Sequence, residues 1–184
     1  NMKLFYVILG ATPIGRNIEQ HDVFFGIGEN LKDLVPDMKK FWPEAKGKIH
    51  IDCYQEVQFV DGFEVKIVEK TSEAVENHLF FINLGGYQSG KFEELHEQYL
   101  MVGQSLAKII RKVKKTDFYK TMGFPEAVSH IDDKHAVDID DVFNVNDILP
   151  LKMKEKYSII LEKSQSESQK NFTHIGYLAI SKLK

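Results

Sequence analysis

The chain of 184 residues is 43% hydrophobic and 28% charged, which is enough apolar sequence to build one medium domain or two small ones and excludes a disordered chain. Its formal net charge of -3 gives no general attraction to nucleic acid or anionic lipid, so we expect neither a nucleic-acid partner nor a membrane partner. No apolar run is long enough for a membrane span, and the single cysteine suits a reducing compartment, so we expect a cytoplasmic protein.

The first elements follow clear patterns. A run of β-branched and aromatic residues over 3–10 predicts a buried strand that ends at a glycine. Apolar residues at helical spacing predict a helix over 31–42, with Asn30 as its N-cap. Pro36 lies inside this helix and predicts a kink or a short first turn there.

Two further strands are predicted over 48–57 and 63–70, and a turn at Asp61-Gly62 joins them. Beyond a polar linker over 164–170, residues 172–180 predict a last strand that could complete the sheet.

The segment 19–28 fits two structures. Its two late glycines would weaken a helix by about 1 kcal/mol each, which favours a strand. The matching segment 94–103 also fits helical spacing. N-cap residues at Asn30 and Ser105 favour a strand followed by a helix, and the continuous helix stays an alternative.

An internal duplication is predicted, because the chain matches itself without a gap when Leu4 is placed on Leu79. The match runs to Val35 on Ile110. Its identical pairs are Leu4/Leu79, Phe5/Phe80, Leu9/Leu84, Gly10/Gly85, Gly15/Gly90, Glu19/Glu94, His21/His96, Gly28/Gly103 and Leu31/Leu106.

Two shorter matches extend the duplication. His50-Ile51-Asp52 falls on His130-Ile131-Asp132, and Val68-Glu69-Lys70 falls on Leu161-Glu162-Lys163. The changes in spacing imply insertions in the second copy at about 115–123 and 144–156, the second as a loop that carries Pro150.

The predicted fold class is α+β, with an internal duplication of a ββαββ or βαββ unit related by a pseudo-two-fold axis. We expect mainly antiparallel sheets and one helix per repeat. The predicted organisation is repeat 1 over 3–70, repeat 2 over 78–163, and a linker with a C-terminal strand over 164–184. Each copy is too small to cover its own sheet well, so we expect one compact body.

Carboxylate–imidazole pairs recur in both copies. Glu19 and His21 match Glu94 and His96, and residues two apart on a strand point to the same face. A two-fold axis could bring all four together as ligands of Zn, Fe or Mn. If the segments are helical, residues two apart diverge and the metal hypothesis fails for each pair. The alternative is a structural role in hydrogen bonding or at an interface.

A second recurrent pair joins His50 to Asp52 and His130 to Asp132. On strands, each imidazole shares a face with its carboxylate, which suits a general base and its orienting group or a metal ligand and its hydrogen-bond partner. A surface pair at a strand start is the alternative.

Positive residues follow both glycine turns. Arg16 and Lys91 lie beside turns whose free amides could hold an anion, although an exposed charge at the end of a hairpin explains them equally.

Gly85 to Lys91 satisfies the short P-loop pattern, but Phe92 replaces the hydroxyl residue that binds Mg²⁺, so nucleotide hydrolysis is not expected. The acidic stretch 132–141 lacks calcium-loop spacing and reads as a solvated edge.

The segments LFYVILGATPIGRNIEQHDVFFGIGE, FWPEA and KIHID, with LGGYQSGKFEELHE and SHIDD in the second copy, resemble an uncharacterised bacterial family. That family is known only as a domain of unknown function that occurs in one or two copies per chain. The resemblance covers residues 3–145 and implies a cytosolic bacterial protein. It brings no activity, so no catalytic residue is transferred.

Three hypotheses of function remain. The leading one is a small-molecule or anion site between two repeats. The second is a metal-dependent enzyme that uses Glu19, His21, Glu94 and His96 with a divalent metal cofactor. The third is a non-catalytic interaction module that forms a homodimer through a sheet edge. The sequence does not decide whether the protein is an enzyme.

Overall fold

The computed structural model describes residues 1–122, 137–166 and 169–184. Its strands, in chain order, are β1 (Lys3–Ala11), β2 (Gln20–Gly28), β3 (His50–Val57), β4 (Phe59–Val60), β5 (Phe63–Glu69), β6 (His78–Gly86), β7 (Leu95–Gly103), β8 (Val137–Asn144), β9 (Tyr157–Lys163) and β10 (Thr173–Ala179). The α-helices are α1 (Val35–Phe41), α2 (Leu106–Val113), α3 (Asp117–Thr121) and α4 (Leu151–Lys156). Short 3-10 helices cover Leu31–Leu34, Pro43–Ala45, Val145–Ile148 and Ile180–Lys182.

All strand pairs of the described residues are antiparallel, which confirms the predicted α+β class with antiparallel sheets. The first sheet has the order β10-β3-β1-β2, the second β4-β5-β9 and the third β7-β6-β8. Of the described helices, none is both long and apolar enough to cross a membrane.

Contacts divide the chain into two compact units. Unit 1 comprises residues 1–73 and 148–184, and unit 2 comprises 74–147. The strand β9, which we assigned to the second repeat, lies in unit 1 because it pairs with β5 along its whole length.

Unit 1 has β1 as a central strand of its first sheet. Most of β1 is buried because β2 and β3 flank it on both edges, and its apolar residues serve the core on both faces. The largest fully buried side chains of this unit are Phe5, Phe25, Leu4, Leu9, Leu34, Met38, Ile51 and Val7. The predicted last strand forms as β10 and pairs with β3, so it completes this sheet as expected.

Unit 2 packs its helices against the three-stranded sheet. Helix α2 begins after Ser105, whose hydroxyl accepts a hydrogen bond from the Lys108 amide at 3.3 Å. The core comprises Phe80, Ile82, Leu84, Met101, Ile109, Val113, Phe118 and Tyr119.

The segment 19–28 is a strand from Gln20 onward, so the continuous-helix alternative is wrong. Asn30 caps a 3-10 turn rather than an α-turn, and its amide donates to the Asp33 carboxylate at 3.1 Å. The α-helix begins only at Val35 because Pro36 has no N–H and is tolerated in a first turn. The predicted helix over 31–42 is therefore divided at the proline.

One expectation of the fold needs correction. We expected one helix per repeat, whereas residues 78–163 contain α2, α3 and α4. Helices α3 and α4 fall where the changes in spacing indicated insertions, so the added residues form short helices instead of open loops.

Candidate metal centre

Two histidines flank one glycine of the central strand. Gly10 on β1 pairs with His21 on β2 and with His50 on β3. Residues that lie directly opposite one another on neighbouring strands present their side chains to the same face of a sheet. The register therefore places both imidazoles over the backbone of Gly10.

Asp52 reaches the same place through a β-bulge. The pairing of β1 with β3 passes from Ile8↔Cys53 to Leu9↔Ile51, so Asp52 is the extra residue of the longer strand. A bulge turns the side chain of the extra residue and is frequent beside functional sites. Glu19, directly before β2, supplies a second carboxylate.

These four side chains form cluster 1, defined as Glu19, His21, His50 and Asp52. The Nε2 atom of His50 lies 2.6 Å from Glu19 Oε1 and 3.1 Å from Asp52 Oδ1. The Nε2 atom of His21 lies 3.4 Å from Glu19 Oε2 and 3.1 Å from Asp52 Oδ2. Both imidazoles thus face the same two carboxylates with the same ring nitrogen.

Cluster 1 depends on the absence of a side chain at position 10. A β-carbon there would lie 2.5 Å from His50 Nε2, 2.6 Å from Asp52 Oδ2 and 2.8 Å from Glu19 Oε1. Real β-carbons essentially never come this close, so glycine allows the cluster to rest on the strand backbone.

One side of cluster 1 is open to solvent. The His50 side chain is 18% exposed and that of Asp52 is 26% exposed, whereas His21 is 51% exposed. The ring of Tyr177 on β10 packs against the His50 ring with the centroids 4.7 Å apart, which limits rotation of that imidazole. A small molecule could therefore approach from the side of His21.

Asp52 has one oxygen without a hydrogen bond. Its Oδ2 atom is buried and accepts none within the described part of the chain, although His21 Nε2 is only 3.1 Å away. The nitrogen and the oxygen are therefore close without hydrogen-bond geometry. A buried carboxylate oxygen is costly unless a donor or a cation satisfies it.

A comparable set occurs in unit 2 and forms cluster 2, defined as Glu94, His96 and Asp140. The Nε2 atom of His96 lies 3.7 Å from Glu94 Oε1 and 3.2 Å from Asp140 Oδ2. Gly85 pairs with His96, and a β-carbon at position 85 would clash with both carboxylates. The pairing passes from Asn83↔Asp141 to Leu84↔Ile139, so Asp140 is again the extra residue of a bulge.

The donor atoms in both units are close enough to share an ion. One ligand atom each from Glu19, His50 and Asp52 lies within 4.8 Å of the others, and the same holds for Glu94, His96 and Asp140. Ligand atoms of one ion, each about 2 Å from it, lie at most about 4 Å apart. A small closure of either set would therefore bring three ligand atoms to metal-binding distance.

The predicted residues divide between the two units. Glu19 and His21 are joined by the reserve pair His50 and Asp52, which the sequence treated as a separate site. Glu94 and His96 are joined by Asp140, which the sequence assigned to a solvated edge. The joining of all four glutamate and histidine residues in one set stays a prediction. His130 and Asp132 lie outside the described residues.

The two basic residues of the anion hypothesis are exposed at turns. The Arg16 amide donates to the Pro13 carbonyl and the Lys91 amide donates to the Gln88 carbonyl, each at 3.1 Å. These two amides close the turns, and the binding of an anion by Arg16 or Lys91 stays a prediction.

Sequence reasoning missed the glycines and Asp140 as parts of the site. The signal was available, since Gly10/Gly85 is one of the identical pairs of the self-match. The strand registers, but not the self-match, also give Ile51 and Ile139 equivalent places opposite Leu9 and Leu84, and each is followed by the aspartate of a bulge.

Part of the chain matches a known protein family. Residues 16–67 match the Domain of Unknown Function DUF1543. The resemblance to an uncharacterised domain family is thereby confirmed. The matched segment contains all four residues of cluster 1.

A solved structure shares the fold. The crystal structure of the protein Il1583 from Idiomarina loihiensis is similar with a TM-score of 0.66, over 98% of this chain and 99% of that chain. The two are 20% identical in sequence, so the similarity shows the fold alone. No curated protein matches the chain in sequence.

Proposed function

We propose that cluster 1 binds a divalent transition-metal ion and presents it to solvent for metal-dependent chemistry. Cluster 2 is proposed as a second, weaker site. The observation that carries the proposal is the crowding of two carboxylates around two imidazole Nε2 atoms in cluster 1.

A count of protons supports a cation. Each Nε2 carries at most one N–H, so the two imidazoles offer two hydrogens to four nitrogen–oxygen contacts of 3.4 Å or less. At least two of these contacts therefore lack a hydrogen of their own. With neutral imidazoles the cluster carries two negative charges, which a divalent ion would balance.

The types of ligand indicate the class of metal. Imidazole nitrogens combined with carboxylate oxygens suit Zn, Fe, Mn or Co, whereas Mg and Ca prefer oxygen alone. Cluster 1, as defined above, has two imidazoles, whereas cluster 2 has one. We therefore expect the tighter binding at cluster 1.

The exposed side of cluster 1 favours a reactive site over a structural one. Structural zinc sites are closed by four protein ligands, whereas catalytic ions keep a position for water or substrate. An ion held by Glu19, His50 and Asp52 would remain within reach of solvent from the exposed side of His21, and it would make a bound water more acidic. The chemistry that this geometry supports best is hydrolysis or hydration of a small polar substrate in the cytoplasm.

We further propose that residues 3–70 and 78–163 are copies of one ββαββ unit. The registers of β1 with β2 and of β6 with β7 support this, since each pairs a glycine with the histidine of its cluster. The two bulges also lie opposite equivalent residues, because Ile8 and Leu9 on β1 fall on Asn83 and Leu84 on β6 in the self-match. Strand pairing matches His50 to Asp138 rather than to His130, because these residues pair with Gly10 and Gly85 respectively.

The metal proposal is tested by titrating untagged, chelator-treated protein with Co²⁺ and following the visible absorption of the ion. The expected result is saturable binding that His50→Ala weakens by more than about tenfold. Even mutation of a residue that only hydrogen-bonds to a metal ligand lowers metal affinity by about 10–100-fold. His174→Ala is the matched control, because His174 lies on β10 outside both clusters. Equal Co²⁺ affinity of His50→Ala and wild type would contradict the proposal.

A further inference from the structure

A cavity in unit 1 is lined by residues that do not belong to cluster 1. Its volume of about 450 Å³ falls in the size range of small-molecule sites. The lining comprises Phe24, Asp37, Lys40, Phe41, Ile148, Leu149, Pro150, Leu151 and Lys152.

The cavity wall is apolar and partly rigid. Phe24 on β2 is 2% exposed, and its ring meets that of Phe41 edge to face with the centroids 5.7 Å apart. Leu149 is buried, whereas Phe41 and Leu151 keep much of their surface in solvent. Large apolar side chains that stay exposed around a concavity mark a binding site more often than isolated ones do.

The charges at the cavity favour a negative ligand. Lys40 at the end of α1 and Lys152 in α4 both line it, and among the described residues neither forms a salt bridge with a carboxylate. Asp37 is the single acidic residue of the lining, so the cavity has a net charge of +1 from two lysines and one aspartate.

We propose that this cavity binds a small amphipathic monoanion, with an aliphatic or aromatic body between Phe41 and Leu151 and a carboxylate near Lys40 and Lys152. Apolar burial would supply most of the binding free energy. The two ammonium groups would select an anion over a neutral molecule of the same shape. The site shares no residue with cluster 1, so it stands or falls independently of the metal proposal.

The test uses octanoate, 1-octanol and octyltrimethylammonium as probes of equal chain length. Trp42, the only tryptophan of the chain, directly follows Phe41 and reports binding by its fluorescence. Calorimetry with octanoate gives the same affinity without relying on the fluorescence change. We expect saturable binding in the order octanoate, then octanol, then the cation, with severalfold steps.

Two double variants separate charge from shape. Lys40→Gln with Lys152→Gln should remove the preference for octanoate over octanol and leave octanol binding unchanged. Lys32→Gln with Lys48→Gln removes the same charge outside the lining and should leave the preference intact. Equal affinity of wild type for octanoate and octanol, or no binding of either, would overturn the proposal. A concentration-dependent dimer abolished by Leu151→Ser would also overturn it, because a second copy would then cover the cavity.

Discussion

At the scale of single residues, cluster 1 depends on the glycine at position 10 and on the β-bulge at Asp52. Gly10 leaves the space that Glu19, His50 and Asp52 fill, and the bulge turns Asp52 into it. Both act by allowing charged groups to approach the strand backbone more closely than a regular strand permits.

Replacement of Gly10 or of Gly85 by alanine should affect only the cluster that contains the glycine's neighbours. In Gly10→Ala the new methyl group displaces His50 and Asp52, so we expect loss of the tighter metal site and retention of the weaker one. Gly85→Ala, the matched variant, should do the reverse at Glu94 and Asp140. Metal content after dialysis against Zn²⁺, measured by elemental analysis, checks both. Identical loss in the two variants would contradict independent sites.

Asp52→Asn distinguishes a metal site from a hydrogen-bond network. In metal-free protein the amide removes one of two crowded carboxylates, so we expect an unchanged or higher free energy of unfolding, while Zn²⁺ affinity falls more than about tenfold. A network built for its own hydrogen bonds would instead lose stability on this change. Urea unfolding with and without Zn²⁺ gives both quantities, and Asp61→Asn in the turn after β4 is the control.

The chemistry of the site was partly predictable from residue spacing. Residue spacing predicted Glu19 beside His21 and His50 beside Asp52, and both pairs are in contact. The regular strand period does not explain either contact, because Glu19 directly precedes β2 and Asp52 is the extra residue of a bulge. The union of these pairs was not predictable, because it depends on the register between β1 and β3. Asp140 was also missed because its place depends on strand register. Asp138 and Asp141 lie close to it in the sequence, and only the pairing of β6 with β8 shows which aspartate occupies the bulge.

At the scale of elements, turn and cap residues determined the strand and helix boundaries more reliably than apolar periodicity did. Gly26 and Gly28 indicated a strand in the ambiguous segment. A side chain at Gly26 would lie 2.8 Å from the Phe24 ring, so glycine also serves the packing of β2. Helical periodicity overestimated the length of the first helix because it ignores the hydrogen bond that Pro36 cannot donate.

The cap at Ser105 should contribute measurable stability. Ser105→Ala removes the acceptor for the Lys108 amide and should lower the free energy of unfolding by about 1 kcal/mol. Ser105→Asp should retain stability, because aspartate accepts the same hydrogen bond. Urea unfolding of the three proteins checks the difference, and equal losses in both variants would exclude a capping role.

Tyr6 on β1 should make stability fall at high pH. Burial, followed by the nearby Cys53, raises the pKa of Tyr6 well above its ordinary value. The neutral phenol is thus favoured in the folded state, so its contribution is complete below about pH 10 and is lost as the unfolded chain ionises above that value. Tyr6→Phe keeps the ring that stacks on Phe25 with centroids 5.0 Å apart. Between pH 9 and 11 its free energy of unfolding should fall less steeply than that of wild type.

At the scale of the whole molecule, the sequence predicted two copies, whereas the contacts define two units with different boundaries. The difference lies mainly in β9, which comes late in the chain and pairs with β5 of unit 1. Such pairing joins residues roughly a hundred positions apart, and local patterns contain no information on it. The proposed repeats and the observed units therefore answer different questions, one of descent and one of packing.

The central claim is that cluster 1 holds a metal ion, and anomalous diffraction from zinc-soaked crystals tests it most directly. A peak is expected about 2 Å from His50 Nε2 and from oxygens of Glu19 and Asp52, with a weaker peak at cluster 2. Absence of a peak at cluster 1 under saturating Zn²⁺, with both imidazoles still in contact with the carboxylates, would contradict the account.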